Sequence, residues 1–210
     1  MRPRPGLFST IRGWADPFQL LAREDPSGTQ IASVLVQDEV SPVFSGAYLA
    51  SRDGGAIVEG VKGTGDRLML GDASPDQLPN QVRDLVRKTL SELSNRLGAI
   101  RAEWVFDGTD IWLLQLQQEP ALSSGRTIVP GQPRRYIPFT AAEGIERLRV
   151  VIRTLDIKSD GIMLIGKVGM TTHLADLLRR ANIPSFITED PTLQWTPGRR
   201  QANKTRLAVR

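Results

Sequence analysis

Between Asp76 and Leu97, the apolar residues Leu78, Val82, Leu85, Val86, Leu90, Leu93 and Leu97 recur at steps of three and four. That spacing draws one apolar stripe along a helix, a face that has to be buried against another element. The flanking sequence has a different rhythm. IASVLVQ (31–37), GAYLAS (46–51) and GAIVEGV (55–61) are short β-type runs separated by Pro, Ser, Asp and Gly, which predicts antiparallel strands and turns. After the helix come AEWVF (102–106) and IWLLQLQ (111–117), joined by Asp107 to Asp110 with Gly108 inside, the pattern of a hairpin with a short loop. Residues 31–120 therefore read as sheet, helix and hairpin.

The stretch from Glu119 to Pro138 contains Pro120, Pro130, Pro133 and Pro138 together with Gly125 and Gly131, so 121–138 is expected to be a linker. Thr140-Ala-Ala-Glu143 forms a capping box ahead of Ile145, Leu148 and Val151, which starts a second helix at Ala141. GIMLIG (161–166) reads as a short buried strand, followed by a glycine turn, a helix from Thr171 or Thr172 to Arg180, and IPSFI (183–187) as a further strand. Strand, turn, helix, strand is an α/β unit, placed over 139–197. Residues 1–30, rich in Pro, Gly and Arg, are expected to be a loosely ordered lead-in. The fold class expected is α+β.

Charge and composition narrow the function. The net charge is +4, but Arg199, Arg200, Lys204, Arg206 and Arg210 lie in 198–210 with no acid, and without them the remainder stands at −1. The basic character thus belongs to a tail, expected to be solvated. Trp14, Trp104, Trp112 and Trp195 do not interleave with cations as a stacking platform would, so nucleic acid is not an expected partner. No run reaches about 18 apolar residues, and the first residues lack the apolar middle of a signal peptide, so the expected location is cytoplasmic, away from the membrane. The chain has no cysteine and a single histidine, His173. Thiolate zinc sites and paired imidazoles are excluded, and any metal must be held by oxygen.

Chemistry concentrates in Gly169-Met170-Thr171-Thr172-His173-Leu174-Ala175-Asp176, continuing to Ile183-Pro184. A histidine in the first turn of a helix meets free backbone N–H groups and the positive end of the dipole, which keep imidazole neutral and then receive phosphate oxygens. A lone histidine at a helix start also serves as a cap or surface residue. The segment resembles the Gly-Gly-x-Thr-(Ser/Cys)-His-Ala-Ala signature of the phosphohistidine domain in the phosphoenolpyruvate synthase and pyruvate phosphate dikinase family. Residues 31–120 resemble the C-terminal half of that family's ATP-grasp domain. Val36-Gln37-Asp38-Glu39-Val40 with Ser45-Gly46, then Glu59 with Gly63-Thr64-Gly65-Asp66 and Gly71, then Glu103-Trp104 with Leu114-Gln115, follow the order of its motifs.

The resemblance implies an ATP-dependent phosphotransferase of the kinase or dikinase type in which His173 carries the phosphoryl group. It implies phosphate contacts from Thr171, Thr172 and Arg52, nucleotide contacts from Gln37, Glu39 and Gln115, and Mg²⁺ at Glu103 and Gln115. A carboxylate and a carboxamide on facing strands suit a hard cation, and equally suit an ordinary exposed hairpin pair. Arg101 stands where the family has an acid, and Gln117 where it has a clamping arginine. The N-terminal ATP-binding lobe normally precedes this region by more residues than the 30 available, so another chain is expected to supply it. The alternative expectation is a non-catalytic remnant or regulatory partner of such an enzyme.

Overall fold

In a computed structural model the described residues are Ala22, 25–29 and 40–193. Residues 1–39 and 40–210 form two units. In the first, Gly28 donates its N–H to the Asp25 carbonyl at 3.0 Å and closes a turn. The expected strand at 31–37, Gln37, Glu39, the basic tail and all but six residues of the lead-in lie outside the described residues. The second unit holds both sheets and the helices between their strands.

Its first half is a four-stranded antiparallel sheet, ordered β2-β1-β3-β4, from β1 (Phe44–Ala50), β2 (Ala56–Lys62), β3 (Ile100–Phe106) and β4 (Ile111–Gln118). A short helix α1 (Asp66–Leu70) and the long helix α2 (Asn80–Leu97) lie between β2 and β3. Alternation along the strands sorts the residues. Tyr48, Ala50, Ile100, Ala102 and Trp104 turn to one face and form a core with Val82, Val86 and Leu90 of α2. Helix α2 begins at Asn80, four residues later than the stripe suggests, because Pro79 holds the extended N-cap conformation and its ring disfavours helical backbone at Leu78 before it. Helix α1 has one turn only, too short for a period to reveal. It ends on Gly71, whose φ of 86° is the left-handed conformation that a glycine tolerates. The hairpin loop forms as expected, the Asp107 carboxylate accepting from Asp110 N at 2.8 Å, Trp112 Nε1 at 2.7 Å and Thr109 N at 2.8 Å. Those three bonds hold its carboxyl below the usual carboxylate range.

The second half is a mixed four-stranded sheet, ordered β5-β8-β7-β6, from β5 (Thr127–Val129), β6 (Arg135–Thr140), β7 (Asp160–Ile165) and β8 (Ser185–Thr188). Strands β6, β7 and β8 run parallel and β5 antiparallel to β8. Helix α3 (Gly144–Thr154) connects β6 to β7, and α4 (His173–Arg180) connects β7 to β8. Phe139, Leu148, Ile162, Leu164, Leu174, Leu178 and Ile187 make the core. The Thr140–Glu143 capping box is present, but it opens a 3-10 turn at 141–143, and the α-helix starts at Gly144. The proline-rich stretch 121–138 carries β5 and the start of β6, with Ile128 and Val129 buried. Pro138 is accommodated because β6 is an edge strand, where a missing N–H costs no ladder bond. Among the described residues no helix is long and apolar enough to cross a membrane.

Candidate functional site

Residues opposite one another on neighbouring strands share a face of the sheet. The register draws one row across the first sheet through Glu59, Ala47, Glu103 and Gln115, and the next through Ile57, Leu49, Arg101 and Gln117. Two carboxylates, two carboxamides and a guanidinium therefore gather on the face opposite Trp104 and α2. A bulge between Glu103 and Trp104 preserves this arrangement, since β4 passes from Gln115 to Leu113 where β3 advances by one residue. The expected facing pair, Glu103 and Gln115, is thus in direct register.

The loop 169–172 and the start of α4 cover this face. Glu59 holds the loop: Oε1 accepts from Met170 N at 2.9 Å, and Oε2 from Thr171 N at 2.9 Å and Thr171 Oγ1 at 2.8 Å. A Cβ on Gly169 would run into that carboxylate and stand 3.0 Å from Pro75 Cγ, so a side chain there would push Glu59 away. Thr172 caps α4. Its hydroxyl donates to the Gly169 carbonyl at 3.0 Å and accepts from Ala175 N at 3.4 Å. Both threonines are buried and both hydroxyl protons are committed, to Glu59 and to Gly169, so Thr171 and Thr172 shape the loop with the donors expected for phosphate.

His173 is the first residue of α4 and is half-buried. Burial pushes its imidazolium below the ordinary 6.5, and the charge of Arg101 pushes the same way, against Glu103 and Asp176. The ring is neutral at neutral pH, with a lone pair available for attack. Arg101 is 2% exposed. Its Nη2 donates to Glu103 Oε1 and to the Thr171 carbonyl, both at 3.2 Å, and lies 3.9 Å from Met69 Sδ.

That guanidinium decides the fit of a magnesium ion at Glu103 and Gln115. A fixed positive charge 3.2 Å from the carboxylate neutralises the one anionic ligand of the pair and repels a divalent cation placed beside it. Among the described residues no three His, Asp or Glu side chains converge on a metal site. As the side chains stand, Glu103 and Gln115 do not fit Mg²⁺. Arg52 stands apart from the site: it is exposed in the turn after β1, its backbone N–H bonded to the Ser123 carbonyl at 2.8 Å.

A second charged cluster closes the other side of α4. Arg179, 5% exposed, places Nε 3.1 Å from Glu119 Oε1 and donates Nη1 to the Met170 carbonyl at 2.8 Å. Arg180 bridges Asp176 Oδ2 at 3.0 Å and the Gln117 carboxamide at 2.6 Å. Burial raises the Glu119 carboxyl, which Arg179 opposes, and lowers the Arg179 guanidinium. Sequence reasoning left Glu59, Glu119 and Arg179 out of the site. Glu59 carried a signal nonetheless: alternation puts it on the same face as Ile57 and Val61, an acid pointing inward among apolar neighbours. No known family's sequence model matches the chain, and no curated protein matches it.

Proposed function

We propose that the chain is a phosphohistidine carrier of the phosphoenolpyruvate synthase type, with the nucleotide held between the β1–β4 sheet and a complementary ATP-binding lobe. The observation that carries this reading is His173 itself, a neutral imidazole at the start of α4, packed over a polar sheet face with a buried guanidinium beside it. The ring nitrogen's lone pair forms the N–P bond. The P–O bond to the nucleotide breaks, its electron pair leaves on the nucleotide oxygen, and the ring keeps its proton on the other nitrogen. The helix start and Arg101 lower the energy of the negative phosphoryl oxygens.

The test is labelling with ATP marked separately at the β and γ positions, alone and with candidate partner lobes. Acid-labile label present in the wild type and absent in His173→Asn supports the carrier, and the labelled position identifies which phosphoryl moves. Absence of label with every partner refutes it. The second reading, a non-catalytic regulatory partner, is favoured by the Arg101–Glu103 pair, which occupies the carboxylate that catalysis would give to a metal.

A further inference from the structure

Arg101 is fixed at one corner only. All three of its contacts use Nη2, while Nε is buried with no acceptor and Nη1 has none among the described residues. A guanidinium carries five donors in a planar fork, and a buried charged donor left unpaired is costly. Its pairing with Glu103 is a single point of contact at 3.2 Å, where a matched carboxylate would take two parallel bonds. The anchored corner rests on the carbonyl of Thr171, two residues before His173.

The groups around it suit one kind of ligand. The first helical bond of α4 is Asp176 N to the Thr172 carbonyl, and Ala175 N is taken by Thr172 Oγ1, so the N–H groups of His173 and Leu174 precede the hydrogen-bonded turn. The hydroxyl protons of Thr171 and Thr172 are spent on Glu59 and Gly169. What remains to receive oxygen is Arg101 Nε, unpaired beside an Nη2 held by Glu103, and two backbone N–H groups, a set that suits a tetrahedral oxyanion and offers nothing to a cation.

We infer that Arg101 is the oxyanion-holding residue of this site, turning the edge formed by its unpaired Nε and by Nη2 to the oxygens of a phosphate or of a phosphoryl group on His173. Glu103 holds the guanidinium in place until an anion binds and competes with the anion for it. The inference rests on the carrier reading for the use of the site; the anion site stands without it. Arg101 is a binding and positioning residue, in a place where the resembling family has an acid.

The lone imidazole makes the test direct, because the C2–H proton resonance of His173 is the only one of its kind in the chain. Inorganic phosphate is titrated into the full chain and the midpoint pH of that resonance is followed. Arg101 and Glu103 of β3, and Asp176 and Arg180 of α4, are the charges that act on the ring. A bound anion raises the midpoint in the wild type, Arg101→Gln weakens phosphate about tenfold or more, and Glu103→Gln tightens it. No response of the wild type to phosphate, or equal binding in Arg101→Gln, overturns the inference. If Arg101→Gln does not fold, Glu103→Gln decides alone: tighter binding upholds the inference and unchanged or weaker binding overturns it. Failure of the carrier reading looks different. Arg101-dependent phosphate binding with no phosphohistidine from any donor removes the carrier and keeps the anion site. Phosphohistidine formed and retained equally in wild type and Arg101→Gln keeps the carrier and removes Arg101.

Discussion

Replacing Glu59 by Gln changes one oxygen to an amide and leaves the volume nearly unaltered, so its cost isolates the hydrogen bonds that hold the loop over the sheet. The carboxylate accepts three, from Met170 N, Thr171 N and Thr171 Oγ1. With the carboxamide oxygen kept towards Thr171, two bonds survive at neutral strength, each weaker by about 0.5–1 kcal/mol. The new NH₂ faces Met170 N, donor to donor, and strands a backbone N–H on a buried residue, at about 1–3 kcal/mol. The sum is about 3 kcal/mol, or roughly 6–12 °C in melting temperature for a unit of this size. Urea melts of Glu59→Gln measure it, with Glu189→Gln as the control. Glu189 pairs with Arg126 at 3.1 Å, both well exposed, and its loss is expected to cost less than about 1 kcal/mol. A Glu59→Gln variant as stable as the Glu189→Gln control would refute the reasoning that this carboxylate holds the loop.

Gly169→Ala is expected to destabilise by about 1–3 kcal/mol, because its methyl group displaces the Glu59 carboxylate. In a double-mutant cycle with Glu59→Gln the two losses should fall short of additive, since both remove the same contact. The folded chain binds the His173 proton less readily than the unfolded chain, whose value is near 6.5. Its contribution to stability is therefore complete above pH 6.5 and declines as pH falls from 6.5 through the lower folded midpoint. Paired urea melts of wild type and His173→Gln on either side of pH 6.5 should show the wild type losing more on acidification. Arg179→Met is expected to cost about 3–5 kcal/mol, because it leaves Glu119 buried without its cation. The double variant Arg179→Met with Glu119→Leu should recover much of that loss, measured by the same melts.

The parts of the fold legible in the sequence are those whose period is long enough to count. Helix α2 spans 18 residues, and the hairpin β3–β4 joins two alternating runs through an Asp-Gly loop. The second sheet was half hidden because its outer strands obey other rules. Strand β5 has three residues, and β6 contains Pro138, which signals a break to any local reading and is tolerated only by the edge position. The site divides in the same way. The position of His173 at the start of α4 follows from the Thr172 cap, which is local. The partnership of Glu59 with residues 170 and 171 spans more than a hundred positions, and only the fold brings them together. Arg101 was visible as a departure from an acid. Its ion pair with Glu103, two residues away on the same strand face, follows from the alternation of a strand.

Under the proposed carrier function, His173 has to meet a donor and then an acceptor, and the way α4 rests on the sheet bears on how. Across that contact the attachments are mostly polar: three bonds at Glu59, one from Arg101 to Thr171, the Arg179–Glu119 pair and the Arg180–Gln117 bond. Few apolar side chains from the sheet half reach the second core, Ile57 among them. Hydrocarbon burial resists separation in proportion to its area, whereas polar groups that separate recover water as a partner, so each bond lost returns most of its worth. A contact of this composition fixes one pose without making it permanent, as polar interfaces between domains do. Arg101 then has a second consequence. Once a phosphoryl group on His173 draws the guanidinium from Glu103, the Nη2 bond to the Thr171 carbonyl competes with the phosphoryl oxygens for the same cation. Phosphorylation would therefore loosen one attachment of the loop while the Glu59 bonds hold, and Glu59→Gln should expose that difference as faster amide exchange at Met170 and Thr171 in the phosphorylated chain than in the free one.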